Sequence, residues 1–337
     1  MACYHPIKAH YRIDDFSGKK DICFDEPVGG FCQKDGKLYP FKIELPCGQC
    51  IGCRLEYSRQ WAVRCVLEAM QYEHNYFITL TYSPEEIPKK YDNVNIDFDT
   101  GEFVGYFTSN PLVPEHVTKF MKDLRRYFEY HYDWHNIRFY AVGEYGEQSM
   151  RPHYHLILFN CPIPDLELLG VSNGQTFWKS DILQEQIWKK GIVSIGTCTF
   201  ESCAYVARYM LKKQKGLNSD YYSNLGLSPP FSRCSRMPGI AREYYDKERD
   251  KIYSTDSLVI TNGKGIAKKV KPPSYYDKLY DIDNPEDLKR IKECRTESAI
   301  NSINNQLSRT SLDLDTYLAV KEDIKNDKVT RLVRCLC

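Results

Sequence analysis

The stretch at residues 137–159, IRFYAVGEYGEQSMRPHYHLILF, decides the fold. It contains two runs rich in β-branched and aromatic residues, 137–145 and 153–159, separated by a short polar turn. Such runs on either side of a short polar turn are typical of two antiparallel strands in a hairpin. The sequence therefore predicts a β-hairpin at the centre of the chain.

Two histidines and a glutamate are brought together by this hairpin. His153 and His155 are two positions apart, so their side chains project from the same face of the sheet. With the turn centred near residue 148, Glu144 lies directly opposite His153. We interpret the three side chains as a site for one divalent metal. The alternative is a pair of histidines with ordinary hydrogen bonds in a core.

The rest of the chain alternates helical and extended patterns on both sides of the hairpin. We predict helices at 54–74, from Pro114 onward, at 177–190, 201–214, 285–307 and 312–336; strands at 77–82 and 192–198; and a hairpin at 93–106. Residues 1–40 show no sustained periodicity and are predicted to be irregular. This order predicts an α+β fold with an antiparallel sheet.

Four segments follow from changes of composition along the chain. They are an N-terminal Cys-rich segment at 1–53, an α+β core at 54–215, a basic proline-containing loop region at 216–280, and a helical C-terminal region at 281–337. No internal repeat or low-complexity tract interrupts them.

Composition limits the class of protein. Lys and Arg number 46 against 45 Asp and Glu, so the net charge of +1 does not by itself indicate a polyanionic partner. No apolar run approaches the ~18 residues of a spanning helix, and no signal peptide is recognisable, which predicts a soluble intracellular protein without a membrane partner. The 26 tyrosines suit surfaces that contact nucleic-acid bases, although tyrosine-rich cores are an alternative.

The charge is nevertheless unevenly distributed. Between Ser202 and Arg242 the only acidic residue is Asp220. The basic residues in this stretch are Arg208, Lys212, Lys213, Lys215, Arg233, Arg236 and Arg242. This imbalance predicts a surface that faces phosphate groups.

A tyrosine pair lies on the helix predicted at 201–214. Tyr205 and Tyr209 are four residues apart and so about one turn apart on one face, which Lys212 shares. Tyrosines at this spacing are more often packing residues. A phenol beside a metal-bound phosphate can, however, act as a nucleophile, and a nearby lysine stabilises the developing charge.

A cysteine cluster precedes the first predicted helix. Cys47, Cys50 and Cys53 offer three thiolates in a CxxCxxC pattern, and a closed zinc site needs a fourth ligand. Cys3 is our first choice; His5, Cys23, Cys32 and Cys65 are alternatives. An iron–sulfur site is a weaker interpretation, and buried free thiols are the other alternative. For the 14 cysteines in general, a reducing compartment predicts thiols rather than disulfides.

Three strings in this order, FITLTY, RPHYHLILF and YVARYMLKK, resemble the three motifs of HUH endonucleases that initiate rolling-circle replication. With CGQCIGCR before them and PPFSRCSRMPGIAREYY after them, the chain resembles the replication initiators of microviruses, small single-stranded DNA phages, and in particular the gokushovirus group. The resemblance spans most of residues 1–245 and fades in the C-terminal helices.

This resemblance implies a fold, an activity and a set of partners. It implies a ferredoxin-like HUH core at 54–215 with a five-stranded antiparallel sheet that carries the histidines centrally. His153, His155 and Glu144 would bind Mg²⁺ or Mn²⁺, Tyr205 and Tyr209 would be paired nucleophiles, and Lys212 would be the nearby base. The enzyme would nick viral origin DNA through a 5′-phosphotyrosine intermediate and later rejoin the displaced strand into a circle. It would work with a host helicase and polymerase in the host cell cytoplasm.

Two other functions are compatible with the same residues. An HUH relaxase or transposase would share the chemistry, although in relaxases the tyrosine usually precedes the histidines. A non-enzymatic, zinc-containing single-stranded DNA-binding protein would use the tyrosines as stacking platforms. Metal-dependent formation of a protein–DNA adduct distinguishes the enzymes from the binding protein.

Overall fold

The structure, a computed structural model, divides into two compact units along the chain. It describes residues 3–14, 20–25, 31–32, 35–96, 103–146, 149–172, 175–208, 221–261 and 265–331. One unit comprises Met1–Glu56 and Glu297–Leu332, and the other comprises Tyr57–Thr296 and Val333–Cys337. The four segments predicted from composition stay a prediction.

The first unit contains a small antiparallel sheet and the end of the chain's helical tail. Its strands are β1 (Ile7–Ile13), β2 (Lys20–Cys23) and β3 (Phe41–Leu45), in the order β2-β1-β3. The prediction that residues 1–40 are irregular was therefore wrong. These strands are short and mostly solvent-exposed, so they lack the apolar alternation by which a strand is recognised.

A disulfide joins Cys23 to Cys32 in this unit and corrects the general expectation of free thiols. Tyr39 packs beside the two half-cystines and completes a small core. A sequence without a recognisable export signal does not indicate which cysteines lie close enough to pair, because a disulfide requires a particular separation of the two Cα atoms.

The second unit contains a seven-stranded antiparallel sheet, where five strands were expected. Its strands are β4 (Asn75–Leu80), β7 (Arg138–Tyr145), β8 (Pro152–Phe159), β9 (Glu167–Ser172), β10 (Gln175–Lys179), β11 (Val193–Thr197) and β12 (Phe231–Cys234). The order is β12-β7-β8-β4-β11-β10-β9, so the histidine strand β8 lies between β7 and β4, inside the sheet. Two separate hairpins pair β5 (Lys90–Ile96) with β6 (Phe103–Ser109), and β13 (Leu258–Thr261) with β14 (Ala267–Val270).

The region predicted as a helix at 177–190 is a strand followed by a helix. Strand β10 ends at Lys179, and a π-helix spans Ile182–Trp188. Asp165 accepts hydrogen bonds from the Ser180 hydroxyl at 2.6 Å and from the Ile182 amide at 2.9 Å. Because these bonds satisfy donors at the start of a helix, the helical segment begins after residue 180, and the β-prone residues before it join the sheet.

Helices of the second unit pack on both faces of the large sheet. The α-helices along the described chain are α1 (Ile51–Ala69), α2 (Pro114–Tyr132), α3 (Phe200–Arg208), α4 (Tyr221–Asn224), α5 (Arg242–Thr255), α6 (Ser274–Asp283), α7 (Pro285–Leu307) and α8 (Leu314–Thr330). Helix α2 and the π-helix pack on the face to which Tyr154 and Leu156 point. Helices α1, α3, α5 and α6 contribute side chains to the core on the opposite face, with Ile157 and Phe159. Alternation along β8 therefore directs His153 and His155 to the α1 and α3 face.

The prediction of an α+β fold with an antiparallel sheet is confirmed. Pro114 opens α2 at its first turn as expected, and α7 has the predicted bounds. Within the described residues, no helix combines the length and apolar character needed to cross a bilayer.

Candidate functional site

The β7–β8 hairpin holds a glutamate and two histidines together. Glu144 lies directly opposite His153 in the strand register, as predicted. Its Oε1 atom is 2.9 Å from His153 Nε2 and 3.2 Å from His155 Nε2. Across the three residues, the candidate ligand atoms all lie within 4.8 Å of one another. The hairpin thus presents two imidazole nitrogens and a carboxylate to one point.

The neighbouring strand β4 supports His155 from the other side. Thr79 is the register partner of His155, and its hydroxyl lies 3.0 Å from His155 Nδ1. The ring of Phe77 stacks on the imidazole with 5.6 Å between centroids. His155 is only 1% exposed, so these contacts leave its ring little freedom to turn. Nε2 is consequently directed at Glu144.

Electrostatics keep the buried Glu144 ionised. Burial alone would raise its pKa, but the hydrogen bonds from His153 and His155, with their charges, lower that pKa to about 2. The site therefore offers an anionic oxygen and two imidazole nitrogens, which suits a divalent cation. Three protein ligands leave coordination positions free for a substrate oxygen.

Tyr205 is packed beside this cluster. Helix α3 packs on β7 and β8, and the Tyr205 ring meets the His155 ring edge-on with 5.4 Å between centroids. Its ring also packs edge-on against Phe77 at 5.8 Å. The tyrosine is 5% exposed. The other two predicted residues of this helix, Tyr209 and Lys212, lie outside the described residues.

Four cysteines form a second cluster, in the first unit. The sulfur atoms of Cys3, Cys47, Cys50 and Cys53 lie within 4.8 Å of one another. Cys53 is on the first turn of α1, and the other three lie on the preceding segments. The first choice for the fourth position, Cys3, is thus the residue that the structure brings to the CxxCxxC pattern.

Backbone amides donate to the sulfurs of this cluster. Cys47 donates to Cys3 Sγ at 3.3 Å, Tyr4 to Cys50 Sγ at 3.4 Å, and Cys53 to Cys50 Sγ at 3.5 Å. Burial works against a thiolate at Cys47, but the amides of Cys50 and Gln49 donate to its sulfur and lower its pKa to about 7. Amide donors stabilise thiolates, the form that binds a metal.

The four alternatives for the fourth ligand have other contacts. His5 forms an ion pair with Glu322 at 2.5 Å, with Nε2 facing Oε2. Cys23 and Cys32 form the disulfide, and Cys65 lies in the core of the second unit. Within the residues that the structure describes, these contacts agree with Cys3 as the fourth member.

Comparison with known proteins assigns the chain to a family. A family model described as replication-associated protein ORF2 matches residues 75–214. The chain is 35% identical to the replication-associated protein ORF2 of Spiroplasma virus 4 over 342 residues, which covers 100% of this chain and 98% of the relative. The chain belongs to this family of phage replication-associated proteins.

Two further family members have more limited matches. The replication-associated protein VP4 of Bdellovibrio phage phiMH2K is 29% identical, over 85% of this chain and 79% of its own length. The replication-associated protein ORF4 of Chlamydia phage 1 is 34% identical, over 51% of this chain and 39% of its own length. No solved structure matches the chain significantly. The resemblance to microvirus replication proteins is confirmed.

The family match includes the whole metal-site candidate. Residues 75–214 run from β4 through Glu144, His153 and His155 to Tyr205, and also include the positions of Tyr209 and Lys212. The cysteine cluster lies before this stretch. Since the Spiroplasma virus relative aligns with the entire chain, the N-terminal segment belongs to the family as well.

Thr79 is a site residue that the sequence analysis missed. It belongs to FITLTY, a string that was used only to identify a strand. A single polar side chain, buried to 5% exposure in an apolar strand, was an available signal. Its partner could not be identified, because the pairing of β4 with β8 joins residues far apart in sequence.

Proposed function

We propose that this chain is a rolling-circle replication initiator with a ferredoxin-like HUH core, which nicks origin DNA and later rejoins the displaced strand. One observation carries the proposal: Glu144, His153 and His155 converge within 4.8 Å, and the Tyr205 ring lies against His155. A metal-ligand set beside a tyrosine is the arrangement that phosphoryl transfer to a phenol requires.

The proposed cleavage uses a tyrosine hydroxyl as nucleophile. The phenolic oxygen attacks the phosphorus, the bond from phosphorus to the 3′ oxygen breaks, and the proton ends on that oxygen. The products are a 5′-phosphotyrosine link and a free 3′-OH. Lys212 is proposed to take the phenolic proton or stabilise the phenolate. A divalent metal bound by His153, His155 and Glu144 would polarise the scissile phosphate.

Rejoining is the reverse reaction with a new 3′ end. The second tyrosine cleaves the regenerated origin, and the released 3′-OH attacks the first phosphotyrosine. One P–O bond forms as another breaks, so the covalent intermediate conserves the phosphodiester energy and no ATP is consumed. This exchange explains a pair of tyrosines, Tyr205 and Tyr209, in place of one.

Phenylalanine substitutions test the nucleophiles directly. We expect Tyr205→Phe and Tyr209→Phe each to form some 5′-linked adduct on an origin oligonucleotide but to release no circles in a replication assay. The double variant should form no adduct. Tyr140→Phe is the matched control, because Tyr140 is fully buried on the same sheet face and its hydroxyl is not proposed to react. Adduct at the parental rate in the double variant would show that another residue is the nucleophile.

The metal site has its own test. His155→Ala should abolish nicking and leave salt-sensitive DNA binding largely intact, since phosphate contacts supply most of that affinity. EDTA should have the same effect on the parental protein, and Mn²⁺ should reverse it. Mn²⁺ accepts imidazole ligands more readily than Mg²⁺, which prefers oxygen ligands in octahedral geometry. Full nicking in EDTA would exclude the proposed metal site.

We further propose that Cys3, Cys47, Cys50 and Cys53 hold a structural zinc ion. Four sulfurs within 4.8 Å and amide donors to the thiolates support a closed tetrahedral site. Protein purified without chelators should contain about one equivalent of zinc by elemental analysis. Less than half an equivalent, or iron alone, would contradict this.

The partners also belong to the proposal. Viral origin DNA is the proposed substrate, and the host helicase and polymerase in the host cytoplasm stay predictions. A non-enzymatic zinc-containing DNA-binding protein is the second candidate, supported only by the cysteine cluster. An adduct gel separates the two, because only the enzyme forms a covalent link to DNA.

A further inference from the structure

A rigid loop at residues 235–241, with the sequence SRMPGIA, presents a basic and apolar tip at the far end of β7. Arg236, Met237 and Pro238 are exposed, and Met237 reaches 94% exposure. Arg138, at the start of β7, contacts this loop, whereas Glu144 is six residues further along the strand. At about 3.3 Å per residue, the loop lies ~20 Å from the metal-site candidate.

Buried polar groups hold the loop backbone in one conformation. Arg138 donates to the Pro238 carbonyl at 2.8 Å, and Arg64 donates to the Ile240 carbonyl at 3.0 Å. Glu68, which also pairs with Arg138, accepts from the Ala241 amide at 2.6 Å. Tyr276 donates to the Ala241 carbonyl at 2.7 Å. The loop is therefore preorganised, and its exposed tip loses little entropy on binding.

Side-chain packing adds to this rigidity. A Cβ atom at Gly239 would lie 2.6 Å from the Tyr275 hydroxyl, so the loop approaches that tyrosine more closely than another residue would allow. Ala241 has a φ of 63°, a left-handed conformation that costs energy for a residue other than glycine. Its contacts with Glu68 and Tyr276 offset that cost. Such strain persists only where the surroundings maintain it.

The loop borders an open groove of about 600 Å³ with a basic lining. Arg125, Arg138 and Arg236 line it, and Glu243 is the one acidic residue among the described residues that do so. Arg125 is exposed yet fixed, because it donates to the Ile137 carbonyl at 2.9 Å and to Ser235 at 3.5 Å. Neither Arg125 nor Arg236 forms an ion pair within the described part of the chain. Tyr72 and Met237 supply apolar surface in the same groove.

We propose that this loop and groove bind single-stranded DNA next to the segment being cleaved, with Arg236 and Arg125 on phosphates and Met237 against an unpaired base. The inference rests on the proposed function for its ligand, DNA. Guanidinium groups beside a flat apolar surface are the chemistry that binds single strands without sequence preference. An unpaired base exposes its face to Met237, whereas in a duplex those faces are already stacked. The basic stretch from Ser202 to Arg242 includes the loop.

Fluorescence anisotropy with the full-length protein tests this assignment. The probes are fluorescein-labelled dT20 and a 20-bp duplex, titrated in EDTA across a salt series, so that nicking does not contribute. Arg236→Gln should weaken dT20 binding by about 3- to 10-fold and reduce the slope of log K against log salt by about 0.7. Met237→Ala should weaken binding several-fold and leave the slope unchanged, since no charge is lost.

Matched controls come from exposed residues elsewhere in the second unit. Arg290→Gln removes an exposed arginine from α7, and Met70→Ala shortens a methionine that is 57% exposed. Both should bind dT20 like the parent. Parental affinity in both loop variants, or a loss confined to the duplex, would overturn the proposal. If the Tyr205/Tyr209 double variant still formed adduct, the proposed function would fail while the loop measurements remained valid.

Discussion

Replacing Thr79 by valine tests whether this residue orients His155 for metal binding. A metal on His155 Nε2 requires the proton on Nδ1, which then donates to the Thr79 hydroxyl 3.0 Å away. Valine keeps the β-branched shape and removes that acceptor. The imidazole then loses the contact that sets both its tautomer and its orientation.

The structure sets the expected size of the effect. Outer partners of metal-bound histidines typically contribute a factor of 10–100 in metal affinity, which is about 1.4–2.8 kcal/mol. Because His155 is 1% exposed, water cannot replace the lost acceptor. The free energy of unfolding should therefore also fall by about 1–3 kcal/mol.

Calorimetric titration of the DNA-free protein with Mn²⁺ measures the affinity, and urea denaturation measures the stability. Thr79→Ser keeps the hydroxyl and should restore most of the affinity. Thr81→Val is the matched control, because the Thr81 hydroxyl donates to the Ile192 carbonyl at 3.2 Å and lies past the end of β4. Parental Mn²⁺ affinity in Thr79→Val would refute the orienting role.

Two further substitutions probe the supporting structure. Glu68→Gln leaves the buried Arg138 without its carboxylate and should lower the free energy of unfolding by about 3–5 kcal/mol in urea, whereas Glu73→Gln, at an exposed position on the adjoining turn, should change it little. A loss below 1 kcal/mol, roughly the value of a surface pair, would mean that the pair is not buried in solution. Cys50→Ser should lower the zinc content and the melting temperature, while Cys294→Ser, at an exposed free cysteine, should leave both unchanged. Equal zinc content in the two variants would exclude Cys50 as a ligand.

The local sequence determined much of the hairpin and the helices. Alternation along residues 153–159 and a short polar turn were sufficient to place Glu144 opposite His153, because strand register follows from the turn and the period of two. Pro114 marked the start of α2, and the family motifs identified the chain as a phage replication protein. Each of these features depends on residues close together along the chain.

Only the tertiary structure decided the contacts between distant segments. It placed Tyr205 against His155, joined Thr79 to the metal-site candidate, and fixed the 235–241 loop through Glu68. It also added β10 and β12 to the sheet and formed three exposed strands in the first unit. A local pattern records which face of an element is apolar. It does not record which distant element covers that face, because that choice depends on the packing of the whole core.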